Sequence, residues 1–193
     1  MNPQRKYRKS IIPESAKRVF AGDIFDVYQW EQELFDGTKM TFEKISRPDT
    51  AVVIPVLPDE RILLVEDSQP DRETILSAPS GRIEEGETPE ETATRELLEE
   101  TGYKVKELLP FFTFQPHNKI DWFVYTFIGK GCTKIAEPHL DAGEKIVPRI
   151  VTFEKLIDLA VNWELREEKF SIMALQAKLD PAKMEDLRQK FFS

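Results

Sequence analysis

The stretch from Gly81 to Tyr103 constrains this chain more than any other, because it encodes a helix and a cluster of like charges together. Thr88 followed three residues later by Glu91 is a capping box, in which each side chain satisfies an orphan backbone N–H of the first turn. Pro89 stands at the first helical position, where its missing N–H costs nothing. Gly102 stands where a left-handed residue closes a helix. These signals predict a helix over about 89–101. At 100° per residue, Glu96, Glu99 and Glu100 fall within an arc of about 100°. Thr94, Leu97, Leu98 and Thr101 occupy the neighbouring arc and are expected to pack on a sheet. Glu84, Glu85 and Glu87 come from the loop before the helix.

Like charges at i, i+3 and i+4 repel by a few tenths of a kcal/mol per pair. Such a face is either a solvated acidic surface or a site that holds a cation. Mg²⁺ suits the second reading, since it prefers oxygen ligands and is usually bound by one or two carboxylates together with substrate phosphates. Arg95 lies beside Glu99 on the helical wheel. It is expected to anchor Glu87 through a bidentate pair and so to orient the carboxylates.

Around this helix the pattern is mixed. Residues 17–45 read as strands, with a hairpin signal at Asp36-Gly37. Ala51 to Leu57 and Ile62 to Val65 are apolar runs around the Pro58-Asp59 turn, which predicts a buried hairpin. Residues 66–74 are polar and read as a loop, and Ile75 to Ala78 as a short strand. Strands are expected at about 104–114 and 120–128, joined through Gln115-Pro116-His117-Asn118, then a loop over 130–145 and a last strand at Ile146 to Phe153. The remainder is helical. Phe153, Leu156, Ile157 and Ala160 have i, i+3, i+4, i+7 spacing. Phe170, Met173, Ala174 and Ala177 repeat it, and Asp180-Pro181 starts a third helix with Met184, Leu187 and Phe191 on its stripe.

A length of 193 residues suits one domain with a small appendage. The formal net charge of −8 argues against a nucleic-acid polymer as partner, since that binding draws its affinity from Lys and Arg on phosphates. It leaves room for a small phosphorylated ligand bridged by metal. No apolar run approaches the roughly 20 residues of a membrane span. The start, Met1 to Ser10, carries Arg5, Lys6, Arg8 and Lys9 with no apolar segment after them, so it reads as a frayed basic terminus and not as a secretory signal. The single Cys132 cannot form an internal disulfide, which fits a reducing, cytoplasmic setting.

The acidic stretch resembles the Nudix box, Gly-x5-Glu-x7-Arg-Glu-U-x-Glu-Glu-x-Gly-U, where U is a bulky apolar residue. Here it is Gly81, Glu87, Arg95-Glu96-Leu97, Glu99-Glu100 and Gly102-Tyr103. Every fixed position matches, and Tyr103 stands where the pattern usually has an aliphatic residue. The resemblance implies an α/β (α+β) fold, an α/β/α sandwich on a mixed sheet, with antiparallel strands before it and helices after it. It also implies a divalent cation, Mg²⁺ or Mn²⁺, with Glu96, Glu99 and Glu100 as ligands and the Ser80 carbonyl as another. Gly81 would permit a close approach, and Glu87 with Arg95 would brace the loop.

The strands before the core and the run Ala78-Pro79-Ser80-Gly81 resemble the ADP-ribose pyrophosphatase branch of that superfamily. The implied organisation is residues 1–48 as dimerising N-terminal strands and 49–193 as the Nudix domain with a helical tail. In that branch a homodimer forms through the N-terminal strands, which contribute to the substrate pocket. Glu144, in Asp141-Ala142-Gly143-Glu144, resembles the catalytic glutamate of that branch. The sequence also departs from it. Gln115-Pro116-His117 replaces Ser-Pro-Gly, and Asp67-Ser68-Gln69-Pro70 replaces Gln-x-Arg, so the phosphate-gripping Arg is displaced, with Arg72 as its nearest substitute.

The expected activity is hydrolysis of a diphosphate linkage in a nucleoside diphosphate derivative such as ADP-ribose or a sugar nucleotide. Metal ions would activate the phosphorus and the water, and a carboxylate would take the proton. The catalytic set is Glu144, Glu99 and Arg95. Arg72, Trp30, Tyr28 and His117 are the substrate-binding candidates, the aromatics through stacking on a base and His117 through a phosphate; His139 is a further loop histidine. Two alternatives stand beside this reading. A house-cleaning nucleoside triphosphate pyrophosphohydrolase would usually be shorter, and a non-catalytic ligand sensor would be expected to carry a broken box.

Overall fold

The computed structural model describes residues 10–70, 72–140 and 143–193. Arg5, Lys6, Arg8 and Lys9 of the basic start, and Asp71, Asp141 and Ala142, lie outside the described residues. Three strands lead the chain: β1 (Lys17–Ala21), β2 (Asp26–Glu33) and β3 (Lys39–Ser46). They pair antiparallel in sequence order, and β10 (Ile120–Asp121) adds to β3 in parallel. The β2–β3 turn follows its Asp-Gly signal. Asp36 Oδ1 accepts the Thr38 N–H at 3.0 Å, and Gly37 takes a φ of +81° that a side chain would oppose.

The central sheet has the order β7-β4-β11-β9, from β7 (Ser80–Arg82), β4 (Thr50–Pro55), β11 (Val124–Lys130) and β9 (Glu107–Phe114). Its β4–β11 pair is parallel and its other two pairs are antiparallel, so the sheet is mixed. A second sheet has the order β13-β5-β6, from β13 (Lys145–Val151), β5 (Ile62–Gln69) and β6 (Arg72–Ser77). Strand β8 (Tyr103–Lys104) pairs with β12 (Thr133–Lys134), a short strand inside the expected 130–145 loop.

Two expectations about pairing are corrected. The runs at 51–57 and 62–65 are buried strands around a turn, but they do not form one hairpin ladder. Only Val56 bridges Ile62, and beyond it β4 and β5 enter different sheets. Each strand finds longer partners elsewhere, β4 against β11 and β5 against β13, and those ladders outweigh the local one. The second correction is the 66–74 loop. Residues 66–69 belong to β5 and 72–74 to β6. Strand β5 is the middle strand, paired through Glu66, Asp67 and Ser68 with β13, and only β6 is a sheet edge, where charged side chains discourage further pairing; the Ser68 and Thr74 hydroxyls meet between β5 and β6 at 2.7 Å.

Side chains of β4 and β5 alternate between two apolar layers. Ala51, Val53 and Leu63 face α1 (Pro89–Thr101), with Ala93, Leu97 and Phe127. Val52, Ile54, Ile62 and Leu64 face the other way, toward α2 (Phe153–Val161), α3 (Glu168–Leu179) and α4 (Pro181–Phe192). Both faces of β4 are covered, which is why it reads as an unbroken apolar run. In the C-terminal layer the Phe191 ring lies 5.3 Å from Phe153, 5.9 Å from Phe111 and 6.1 Å from Phe170. The result is the α/β/α sandwich that the resemblance implies.

Candidate active site

Helix α1 begins and ends on the residues its sequence marks. Thr88 Oγ1 accepts the Glu91 N–H at 3.2 Å, Glu91 accepts the Thr88 N–H at 2.8 Å, and Gly102 closes the helix at φ +75°. A side chain at Gly102 would also strike the Ala136 carbonyl oxygen, 2.0 Å from an ideal Cβ. The buried stripe differs from the expected one. It consists of Pro89, Thr92, Ala93, Leu97 and Thr101, while Thr94 is exposed and Leu98 is 38% exposed. The helix is therefore rolled so that Glu96 and Glu100 border the buried stripe on one side of Ala93, and the acidic face meets the Ser80–Arg82 strand.

Arg95 organises this face. Its Nε and Nη2 grip the two oxygens of Glu87 at 2.7 and 3.0 Å. Its Nη1 donates to Glu96 Oε1 at 2.8 Å and to Glu99 Oε2 at 2.9 Å, and Nη2 also reaches the Arg82 carbonyl at 3.2 Å. Glu87 further accepts the Glu84 N–H and the Thr92 hydroxyl. Hydrogen bonds from Arg95 hold the Glu87 carboxyl down to about 2.

Glu96 and Glu100 are displaced the other way. Burial raises Glu96 despite Arg95. Burial, then the neighbouring Glu96, push Glu100 up to about 9, although its Oε2 accepts the Ser80 N–H at 3.3 Å. Glu144 and Asp67 add to the negative field on Glu100. Glu100, near the carboxylates of Glu96, Glu144 and Asp67, forms no ion pair among the described residues, and a hard divalent cation would supply the countercharge. Gly81 fits the same purpose: an ideal Cβ there would stand 1.8 Å from Glu96 Oε1. The oxygen donors thus suit a divalent metal ion. Among the described residues, no three acidic, histidine or cysteine side chains are already drawn together tightly enough to enclose an ion; Arg95 and the Ser80 N–H occupy the oxygens that would do so.

These groups line one cavity of about 200 Å³, with Ser80, Gly81, Arg82, Glu84, Arg95, Glu96, Glu99, Glu100, His139, Leu140 and Glu144 around it. Glu144 enters from the start of β13, after Gly143 at φ +102°. Arg82 and His139 carry no pattern of their own in the sequence. Arg82 is legible only as a variable position of the box. The His139 N–H donates to the Glu99 carbonyl at 2.8 Å, which ties its loop to the end of α1.

The other substrate candidates lie elsewhere. Arg72 is committed to an ion pair with Asp67, so its contact with the acidic group is through Asp67. Trp30 packs against Phe42, with ring centroids 6.1 Å apart, and donates to Gln32 on the same strand. His117 is exposed in the β9–β10 connection, where its Nδ1 accepts the Lys119 N–H at 3.1 Å. The structure brings neither Trp30 nor His117 to the carboxylate cavity, because each closes a local contact of its own element. Tyr28 lines a second cavity of about 480 Å³ with Arg18, Asp26 and Arg47. The Arg47 guanidinium there lies 4.5 Å from the Trp122 ring centroid.

The family model described as NUDIX domain matches residues 46–175. The chain belongs to the Nudix family. The ADP-ribose pyrophosphatase of Bacillus subtilis (strain 168) is 32% identical to this Nudix chain over 167 residues, covering 84% of this chain and 90% of that protein. The ADP-sugar pyrophosphatase of Mus musculus is 40% identical over 89 residues, 42% of this chain and 41% of that protein. A solved structure described as an ADP compounds hydrolase superposes with a TM-score of 0.69 at 18% identity, covering 89% of this chain and 95% of that one. At that identity the superposition speaks for the fold. The resemblance read from the box, and the hydrolase class it implies, are borne out.

Proposed function

We propose that this Nudix hydrolase cuts the diphosphate linkage of a nucleoside diphosphate derivative of the ADP-ribose or sugar-nucleotide type. The observation that carries the reading is the convergence of Glu96, Glu99, Glu100, Ser80 and Glu144 on one cavity with Arg82. The Bacillus subtilis relative, aligned over nearly its whole length, supports the substrate class.

Glu96, Glu99, Glu100 and the Ser80 carbonyl would hold the metal ion, Mg²⁺ or Mn²⁺. When bound, such an ion neutralises charge on the diphosphate and lowers the pKa of a water. Glu144 takes the proton of the attacking water as the new P–O bond forms and the bridging P–O bond breaks. The products are a nucleoside monophosphate and a phosphorylated sugar. Arg82, on the cavity wall, meets the charge of the departing phosphate. Arg95 holds Glu87 through two bonds, and Glu96 and Glu99, which it also contacts, would be the carboxylates to hold the ion. Tyr28, which lines the second cavity with Arg47, is the aromatic group we assign to stacking on the base of the nucleotide.

The same reading includes a homodimer built through residues 1–48 of each chain, a small-molecule substrate in place of a nucleic-acid polymer or a membrane, and a cytoplasmic setting. Supporting the dimer, Val19, Phe20, Phe25 and Met40 are exposed on the N-terminal strands. No helix among the described residues is long and apolar enough to cross a membrane.

A panel of ADP-ribose, ADP-sugars, UDP-sugars and nucleoside triphosphates, assayed with Mg²⁺ or Mn²⁺ and scored by product, tests the activity. Release of AMP from ADP-ribose or an ADP-sugar is expected. Pyrophosphate release from triphosphates alone would overturn the substrate class.

A further inference from the structure

The segment Ala78-Pro79-Ser80 crosses from the second sheet to the central one, and three layers of the molecule hold it. The Val53 N–H of β4 donates to the Pro79 carbonyl at 3.0 Å. The Ser80 N–H donates to Glu100 Oε2 of α1 at 3.3 Å. The Ala78 N–H donates to Glu167 Oε1 at 3.1 Å. Glu167 belongs to the C-terminal layer, one residue before α3, and the Ser171 N–H donates to its carbonyl. It is delivered by a short parallel docking of 165–166 on β6. Leu165 bridges Leu76, and the Arg166 N–H donates to the Leu76 carbonyl at 3.0 Å.

The Glu167 stem keeps some contact with solvent, but Oε2 is buried and makes no hydrogen bond among the described residues. A polar head placed there is costly unless its one bond matters. That bond fixes the residue two before Ser80. Pro79, between them, has a locked φ and no N–H of its own. A displacement at Ala78 therefore passes through a stiff residue to the carbonyl and N–H of Ser80. We propose that Glu167 is a positioning residue that holds Ala78-Pro79-Ser80 in the register at which Ser80 and Glu100 meet the metal ion. The inference rests on the metal-dependent reading of that site. It makes the C-terminal helical layer part of the metal-binding apparatus without touching the substrate.

The test is Mn²⁺ binding to the full chain without substrate, measured by calorimetry, alongside the melting temperature and kcat and KM at saturating metal. Glu167→Gln keeps an acceptor for the Ala78 N–H and should bind Mn²⁺ within about threefold of the wild type. Glu167→Met removes the acceptor at similar volume, and Glu167→Asp withdraws it by one methylene. Each should weaken Mn²⁺ by on the order of tenfold or more, the usual size for loss of a group behind a metal ligand, with KM for the nucleotide little changed. Leu187→Ala, a core change on α4, should lower the melting temperature without weakening Mn²⁺. Should Glu167→Met fail to fold, Glu167→Asp carries the comparison. Wild-type Mn²⁺ affinity in a folded Met or Asp variant overturns the inference, and so does an equal loss in Leu187→Ala. Absence of Mn²⁺ binding in the wild type would instead overturn the metal-dependent reading itself, and this inference with it.

Discussion

The Cα of Gly81 faces the carboxylate of Glu96 so closely that a methyl group at Gly81 would stand 1.8 Å from Oε1 and 2.1 Å from Cδ. The obstacle is the far end of a flexible side chain, so the cheapest response to Gly81→Ala is for Glu96 to swing away, not for the strand to unfold. Gly81 has no left-handed backbone to lose, since its φ is not among the positive ones. We predict that Gly81→Ala keeps its melting temperature within a few degrees yet loses on the order of 100-fold in kcat, about 3 kcal/mol of barrier. A variant that unfolds, or one that turns over normally, would show that Glu96 is not held there for metal.

Glu144 lines the same cavity from the mouth of β13 and raises the pKa of Glu100 from close by. A base there should act in the transition state more than in binding. Glu144→Gln is predicted to lower kcat by roughly 10²–10³ with KM changed only a few-fold, the signature of a lost transition-state role. Mn²⁺ affinity without substrate should change little. Near-normal kcat would move the base to Glu99.

The Glu87–Arg95 pair makes a prediction about acid. Glu87 titrates at about 2 in the folded chain against an ordinary 4.5. A carboxyl with a depressed folded pKa stabilises the fold fully above its unfolded pKa, and that contribution is lost as the pH falls through the folded pKa. At about 1.4 kcal/mol per pH unit, the displacement from 4.5 to about 2 is worth about 3.5 kcal/mol, which solvent screening of a partly exposed pair lowers to on the order of 2–3 kcal/mol at neutral pH. Glu87→Gln should be less stable by that amount at pH 7 in urea melts. The gap from wild type should shrink between about pH 4.5 and pH 2. A constant gap across that range would deny the ion pair its stabilising role.

The N-terminal sheet leaves Phe20 and Met40 each 57% exposed, with Val19, Ile24 and Phe25 nearby in the sequence. Few-stranded sheets with one apolar face uncovered are marginal in water. Light scattering should report about twice the 22.4 kDa chain mass. Phe20→Glu should shift the population toward monomer. A wild-type monomer at micromolar concentration would contradict the dimer.

Much of this was legible in the sequence where the signal is local. Thr88, Glu91, Pro89 and Gly102 specify α1 through its own backbone groups, so its ends fall where they were read. The amphipathic stripes of α2 to α4 likewise need only their spacing. What depends on partners distant in sequence was not legible. The β4–β5 turn reads as a hairpin because nothing local reveals that β11 and β13 compete for those strands. The polar ends of β5 and β6 read as a loop because nothing local reveals the pairing of 66–68 with β13, and because β6, an edge strand, shares a loop's composition. The roll of α1, which exposes Leu98 and seats Glu100 against Ser80, is set by the sheet beneath it. Glu167 gave no signal at all, and His139 was legible only as a further loop histidine, since each works through one hydrogen bond to a backbone far away in sequence.

The central claim is hydrolysis that depends on a metal ion held by the box carboxylates, and one measurement tests it most directly. The wild type, Glu99→Gln and Glu100→Gln are each given ADP-ribose with Mg²⁺, with and without excess chelator, and AMP release is followed. The wild type should release AMP only with metal. Both variants should fold, since each substitution relieves like-charge repulsion, and each should lose about 100-fold or more in kcat, about 3 kcal/mol. An undiminished rate in chelator, or in either variant, would contradict the account.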